Sequence, residues 1–261
     1  MLPLTGRRAL VCGSTQGIGK ASAVAIADAG ATVVLLSRNP DQLRMVRDAL
    51  PTPGGAVHEF LSADFSDPGV VRATVRGYLG AHPPFHILVN NTGGPPPGPL
   101  LDATDEAFRA AFNMHLLTNH ALVQLLVPGM RAEKYGRIVN VISTSVREPI
   151  KGLGVSNTIR AAVAGWAKTL SKEVAADGIT VNNILPGYTR TARLESLVVS
   201  RIKATGASRE TVEQGMMADI PMARFADASE LGAVVAFLVS PAASYVTGVS
   251  VPVDGGRLAS I

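Results

Sequence analysis

With 261 residues, 47% of them hydrophobic and 17% charged, the chain can bury a sizeable core and lies outside the composition of disordered proteins, while no apolar run approaches the roughly 18 residues of a membrane span. Its net charge of +4 comes from singly scattered Lys and Arg, and only 5% of residues are aromatic, which excludes the basic clusters and stacking platforms of nucleic-acid binders. Cys12 is the only cysteine, so an internal disulfide and a multi-cysteine zinc site are excluded. Met1–Val11 meets Cys12-Gly13 too soon for a signal-peptide core, so a cytoplasmic location is expected.

Arg8–Cys12 is a short apolar run ending at Gly13, and an alanine-rich helical stretch follows over Ile18–Ala29. Ala31–Leu36 reads as a second strand, and Pro40–Leu50 carries Leu43, Val46 and Leu50 at helical spacing. Val57–Leu61 reads as strand, Val70–Leu79 as helix, Ile87–Val89 as strand and Asp105–Met130 as a long helical region. Ile138–Ile142, Thr180–Leu185 and Val249–Val253 complete the strands, with helices over Ser156–Ala176 and Glu230–Val239. Apolar strands alternating with helices of ten or more residues predict an α/β, doubly wound Rossmann fold with a seven-stranded parallel sheet covered on both faces.

No linker breaks the alternation, so one domain over residues 1–261 is expected. Gly93–Pro99 is a stiff loop after the fourth strand. Thr189–Met222 has weak helical patterning and follows a strand at its carboxyl end, where such sheets build their ligand crevice. We read it as a substrate lid, whose Leu194, Leu197, Met216 and Met217 suggest an apolar pocket.

The first strand runs into Gly13-Ser14-Thr15-Gln16-Gly17-Ile18-Gly19. Glycines at a strand-to-helix turn let the backbone approach a pyrophosphate, which the helix N-terminus then stabilises. The GxxxGxG spacing is a weak signal alone and gains weight from its place after the first strand of a βαβ unit. The second strand ends in Ser37-Arg38-Asn39. An acidic residue there would bind a ribose 2′-hydroxyl, whereas Arg38 suits a 2′-phosphate, so NADP(H) is expected ahead of NAD(H).

Further marks follow in order: Asp64 after the third strand, Asn90-Asn91-Thr92-Gly93 after the fourth, Asn113 in the long helix and Ser143 closing Gly136–Ser143. Pro186-Gly187 follows the sixth strand, with Thr191 beyond, and Val253-Asp254-Gly255-Gly256 comes near the end. On these marks the chain resembles, over nearly its whole length, a short-chain dehydrogenase/reductase of the 3-oxoacyl-acyl-carrier-protein reductase-like type. The resemblance implies that Asp64, with Phe65 beside it, holds the adenine and that Asn91 and Gly93 pass beneath the ribose. It implies that Pro186, Gly187 and the residues to Thr191 meet the nicotinamide carboxamide. It also implies assembly as a homotetramer or homodimer. Cys12 and Thr92 are mild departures, standing where the family usually has Thr and Ala.

The larger departure is catalytic. The resembled family uses a Tyr as acid, with a Lys four residues later that lowers its pKa and binds ribose. Here those positions are Ser156 and Arg160. They still share a helix face, and Arg160 can hydrogen-bond the cofactor's ribose hydroxyls as Lys would, but serine is a far weaker acid than a phenol and arginine stays protonated. None of the four tyrosines has Lys four positions on, and Tyr188, in the nicotinamide loop, is the only one placed to reach the site. A ring packed under the lid is the blander reading of Tyr188. Lys151, His115 and Glu148 are read as solvated or structural, because nothing pairs them by spacing. These residues suit an oxidoreductase that reduces a ketone, or oxidises an alcohol, through Asn113, Ser143, Ser156 and Arg160, with Tyr188 in reserve. The alternatives are an NADP(H)-binding protein without redox turnover, and elimination or isomerisation chemistry in the same pocket.

Overall fold

Alternate side chains of each strand are buried on opposite sides, which is what a sheet covered on both faces requires. The computed structural model describes residues 4–260. Seven parallel strands form one sheet: β1 Arg8–Cys12, β2 Thr32–Ser37, β3 Glu59–Ser62, β4 Ile87–Asn90, β5 Gly136–Val141, β6 Ile179–Pro186 and β7 Ser250–Val253, in spatial order β3-β2-β1-β4-β5-β6-β7. The expected α/β, doubly wound Rossmann architecture is therefore present. Its order reverses between β1 and β4, the switch point where such sheets open a crevice.

Helices α1 Gly17–Asp28, α2 Pro40–Asp48 and α3 Pro68–Leu79 lie in the first half, followed by α4 Asp105–Phe112, α5 Thr118–Ala132 and α6 Gly154–Val174. The last three are α7 Ala192–Thr205, α8 Arg209–Ala218 and α9 Ala228–Leu238. Ala9, Val11, Val33 and Leu35 pack with α1, α2 and α9 on one face. Leu10, Cys12, Val34 and Leu36 pack with α3, α5 and α6 on the other. None of the helices is long and apolar enough to cross a membrane, among the described residues.

Two expectations change. The long helix expected over Asp105–Met130 is interrupted by a π-helical turn, Asn113–Leu117. The stretch 189–222 holds two well-formed helices, α7 and α8, which share a small core of Leu194, Val198, Val212 and Met216 with Tyr188 and Phe225. Polar residues on the outer faces of α7 and α8 diluted the helical period in the sequence.

A polar ladder crosses four strands, from the carboxyl end of β4 to the first residue of β7. Asn90 Nδ2 donates to Asn140 Oδ1 at 2.8 Å, Asn140 Nδ2 to Asn183 Oδ1 at 2.9 Å, and Asn183 Nδ2 to Ser250 Oγ at 3.0 Å. These residues sit opposite one another on β4, β5, β6 and β7, so the strand register alone aligns them. Truncating a central rung strands a buried donor on one side and a buried acceptor on the other. Asn140→Ala should therefore destabilise the protein by about 1–3 kcal/mol for each stranded group. Urea unfolding checks this, and an unchanged midpoint would contradict the ladder's role.

Candidate active site

A cleft of about 1020 Å³ opens along the carboxyl ends of the central strands. One end is built by the turn from β1 into α1. Gln16 precedes α1 without capping it by its side chain, and no acidic residue occupies the first turn, so the N–H groups there stay available to an anion. A Cβ at Gly19 would fall 2.1 Å from the Gly13 carbonyl, and one at Gly13 would fall 2.5 Å from the Asn91 carbonyl. Asn91 Nδ2 in turn donates to the Gly13 carbonyl at 3.2 Å. Glycine is thus required where the loop closes on Asn91.

Gly13, Thr15, Gln16, Gly17 and Ile18 line this part of the cleft, followed outward by Ser37, Arg38, Asp64 and Phe65. Gly19 lies beneath, against Gly13. The Arg38 guanidinium is 3.9 Å from Asp64 Oδ2 and its side chain is 73% exposed. The Ser66 backbone N–H, followed by Arg38, holds the Asp64 carboxyl below its ordinary range. An open cradle of backbone N–H groups at one place and an exposed guanidinium at the next fit the two phosphate positions of a phosphorylated dinucleotide.

The other end holds the candidate catalytic side chains. Asn91 and Gly93 line the middle of the cleft, and Pro186, Gly187, Tyr188 and Thr191 line its β6 side. Ser143 follows β5, and its Oγ accepts the Ser145 N–H at 3.0 Å, which leaves its own proton free to donate. Ser156 and Arg160 stand one turn apart on α6, both buried and both lining the cleft. Arg160 Nη1 donates to the Val141 carbonyl at 2.7 Å, while its Nε has no partner. Burial first, and then the nearby Arg193, bring the Arg160 guanidinium down to about 10, still charged at neutral pH. Burial also lowers Arg193.

Asn113 opens the π turn. It does not line the cleft; its backbone carbonyl accepts the Thr118 N–H, the five-residue bond of the π turn. The next two residues of the turn, Met114 and His115, line the cleft. His115 is 3% exposed, and its Nδ1 lies 2.7 Å from Thr92 Oγ1. Burial, then Arg160, push it well below its ordinary value of 6.5, so it is neutral. Thr92 and His115 form one hydrogen-bonded unit, and the sequence reading, which set His115 aside, missed it. Neither residue is paired with the other by spacing.

Tyr188 lines the cleft, yet its hydroxyl accepts from Arg201 Nη2 at 3.0 Å and its ring meets Phe225 edge-on. The geometry matches a ring packed beneath α7. Lys151 is exposed, and Glu148 Oε1 accepts the backbone N–H groups of Ala259 and Ser260. The Cys12 thiol is buried beneath the site, and burial pushes its pKa up, which makes it a packing group. Among the described residues no cluster of His, Cys, Asp and Glu could hold a metal ion.

Comparison with known proteins agrees with this architecture. A family model described as Enoyl-(Acyl carrier protein) reductase matches residues 13–257. The NADPH-dependent reductase BacG of Bacillus subtilis is 30% identical over 259 residues, covering 99% of this chain and all of that protein. Oxidoreductase UcpA of Escherichia coli is 35% identical over 256 residues, covering 97% of this chain and 95% of that one. The crystal structure of L-sorbose reductase from Gluconobacter frateurii, complexed with NADPH and L-sorbose, superposes with a TM-score of 0.92 at 32% identity and 99% coverage of both chains. From the family model, these relatives and the shared fold, the chain belongs to the short-chain dehydrogenase/reductase family.

Proposed function

We propose that the protein is an NADP(H)-dependent oxidoreductase that interconverts a ketone and a secondary alcohol by hydride transfer. One observation carries the reading: a single cleft runs from the glycine turn and Arg38 to Ser143, Ser156 and Arg160. The NADPH-bound relative and the NADPH-dependent reductase of similar sequence support the choice of cofactor. When bound, the nicotinamide supplies or takes up the hydride.

The chain's own residues then handle the oxygen. Ser143 and Ser156 donate hydrogen bonds to the carbonyl, the Arg160 charge stabilises the alkoxide that develops on it, and Ser156 passes its hydroxyl proton to that alkoxide and is reprotonated from water. Neutral His115 can donate from Nε2 when Nδ1 accepts the Thr92 hydroxyl proton, polarising without ionising. No phenol is needed. Positioned acid catalysis is worth about 10²–10⁴ in rate, so this arrangement trades a strong acid for a denser set of donors. Residues 189–222, within a single domain, act as the lid over the site. Self-association across α4–α6, where Phe112 and Leu117 are partly exposed, belongs to the same reading.

A second reading, NADP(H) binding without turnover, draws on the Ser156/Arg160 pair and on the anchoring of Tyr188 by Arg201. A carbonyl panel followed by NADPH absorbance separates the two. The proposal expects turnover, with Ser143→Ala lowering kcat by about 10²-fold or more. Tight NADPH binding with no oxidation across the panel favours the second reading.

Cofactor choice is a separate test. NADPH should bind more tightly than NADH in a fluorescence titration, and Arg38→Asp should reverse the order. Equal affinities in the unmodified protein would contradict the role of Arg38.

The buried imidazole also predicts a pH dependence. The folded pKa of His115 is depressed below 6.5, with burial as the main cause, so below that pH the unfolded chain binds the extra proton and the folded state loses stability. His86, depressed by burial and Arg7, adds to the same trend. Urea unfolding between about pH 7 and 5 should show stability falling with pH, less steeply in His115→Gln. Identical slopes would show that His115 protonates freely in the folded state.

A further inference from the structure

We infer that Arg160 and Arg193 form a cradle for the carboxylate of an oxo-acid substrate, an inference that rests on the reductase reading above. Three features of the cleft carry it.

The first is uncompensated charge. Arg8, Arg38, Arg44, Arg47, Arg109, Arg131, Arg190, Arg209 and Arg224 each lie within ion-pair distance of a carboxylate. Among the described residues no carboxylate lies within that distance of Arg160 or Arg193. Arg160 is 8% exposed and its buried Nε has no hydrogen-bond partner at all. Burying an unpaired guanidinium is costly unless a counter-charge arrives. Of the acidic residues lining the cleft, Asp64 is engaged with Arg38 at the dinucleotide end and Asp102 is an exposed residue.

The second feature is convergence. The position of a Cβ on Gly94 would lie 3.6 Å from Arg160 Nη2 and 3.5 Å from Arg193 Cζ. Two cationic groups from different helices therefore meet at one point of the loop after β4. The missing side chain at Gly94 keeps the space between them open. Arg160 is pinned there by the Val141 carbonyl, one helical turn from Ser156. An acid held at this point keeps a neighbouring carbonyl close to the hydroxyl donors.

The third feature separates this anion from the cofactor's own phosphates. Thr191 caps α7, and its Cγ2 lies 3.0 Å from where a Gly17 Cβ would be. Thr191 is thus the α7 residue that abuts the glycine turn, while Arg193, two residues on, faces Gly94. The pyrophosphate has the N–H groups of α1, and the paired guanidiniums are left for a second anion. Planar guanidinium forks suit a carboxylate, which each can bind through two hydrogen bonds. The prolines of the Gly93–Pro99 loop, with Leu194 and Leu197, line the cleft and offer an apolar wall to the acid's carbon chain.

The test uses acids without a reducible carbonyl, so it reads the cradle whether or not the holoenzyme turns over. Hexanoate, 3-phenylpropionate and 2-hydroxyisobutyrate, whose tertiary hydroxyl cannot be oxidised to a ketone, are each titrated calorimetrically beside their own amide into the protein saturated with NADP⁺. At least one acid should bind about tenfold or more tightly than its amide. Arg193→Gln should remove that preference while the Kd for NADPH moves less than threefold. Arg160→Lys, which keeps a charge but loses the fork, should weaken the acid by a smaller factor. Lys203→Gln, an exposed charge on the same helix, should change neither. Equal binding of acids and amides, or no binding by any acid, overturns the inference. So does an Arg193→Gln variant that loses NADPH and acid together, since the arginines would then serve the pyrophosphate. Reduction of neutral ketones with no preference for acids would remove the cradle and leave the reductase reading standing.

Discussion

The whole site hangs on one close approach. Gly13, Gly19 and Asn91 meet where β1 ends, α1 begins and β4 runs past, in space that would leave an added Cβ only 2.1–2.5 Å from a backbone oxygen. The Asn91 side chain bonds the Gly13 carbonyl and so ties the two strands at the point where strand order reverses. That contact aims the first turn of α1 at the crevice and sets the mouth of the cleft. Beneath it the Asn90–Asn140–Asn183–Ser250 ladder locks the neighbouring strands in register. Val141, which pins Arg160, follows Asn140 by one residue. The position of the guanidinium is therefore inherited from the sheet rather than from a flexible loop, as a precise site needs.

Charge organises what the sheet has framed. Arg160 replaces the Lys expected of the resembled family, Arg193 stands near it, and both are desolvated without an acidic partner in the described residues. His115 stays neutral in their field, and Thr92 fixes its ring. Three departures from the resembled pattern, Thr92, Ser156 and Arg160, thus line one pocket together with His115.

The sheet and the dinucleotide end were legible in the sequence because they depend on local signals. Short apolar runs such as Arg8–Cys12 and Ile87–Val89 are too short for helices and fit buried strands, and Gly13–Gly19 sits where a strand turns into a helix. Arg38 was readable from its position at the end of the second strand. The reacting end was less so. The resemblance pointed to Asn113, while the π turn that begins there, which no residue pattern announces, brings Met114 and His115 to the cleft. Arg193 lay in a stretch whose polar outer face masked a regular helix. Its pairing with Arg160 spans 33 residues of sequence and exists only after folding. Tyr188 lines the cleft, yet only the structure reveals the hydrogen bond from Arg201 that occupies its hydroxyl.

Hydride transfer inside this cleft is the claim on which the rest depends. NADPH carrying deuterium at the transferring C4 position of the nicotinamide, mixed with the protein and a panel of oxo acids and neutral ketones, tests it most directly. Mass spectrometry should find one deuterium on the carbinol carbon of a product alcohol, at a rate lost on Ser143→Ala. Saturating cofactor binding with no deuterated product from any substrate would contradict the account.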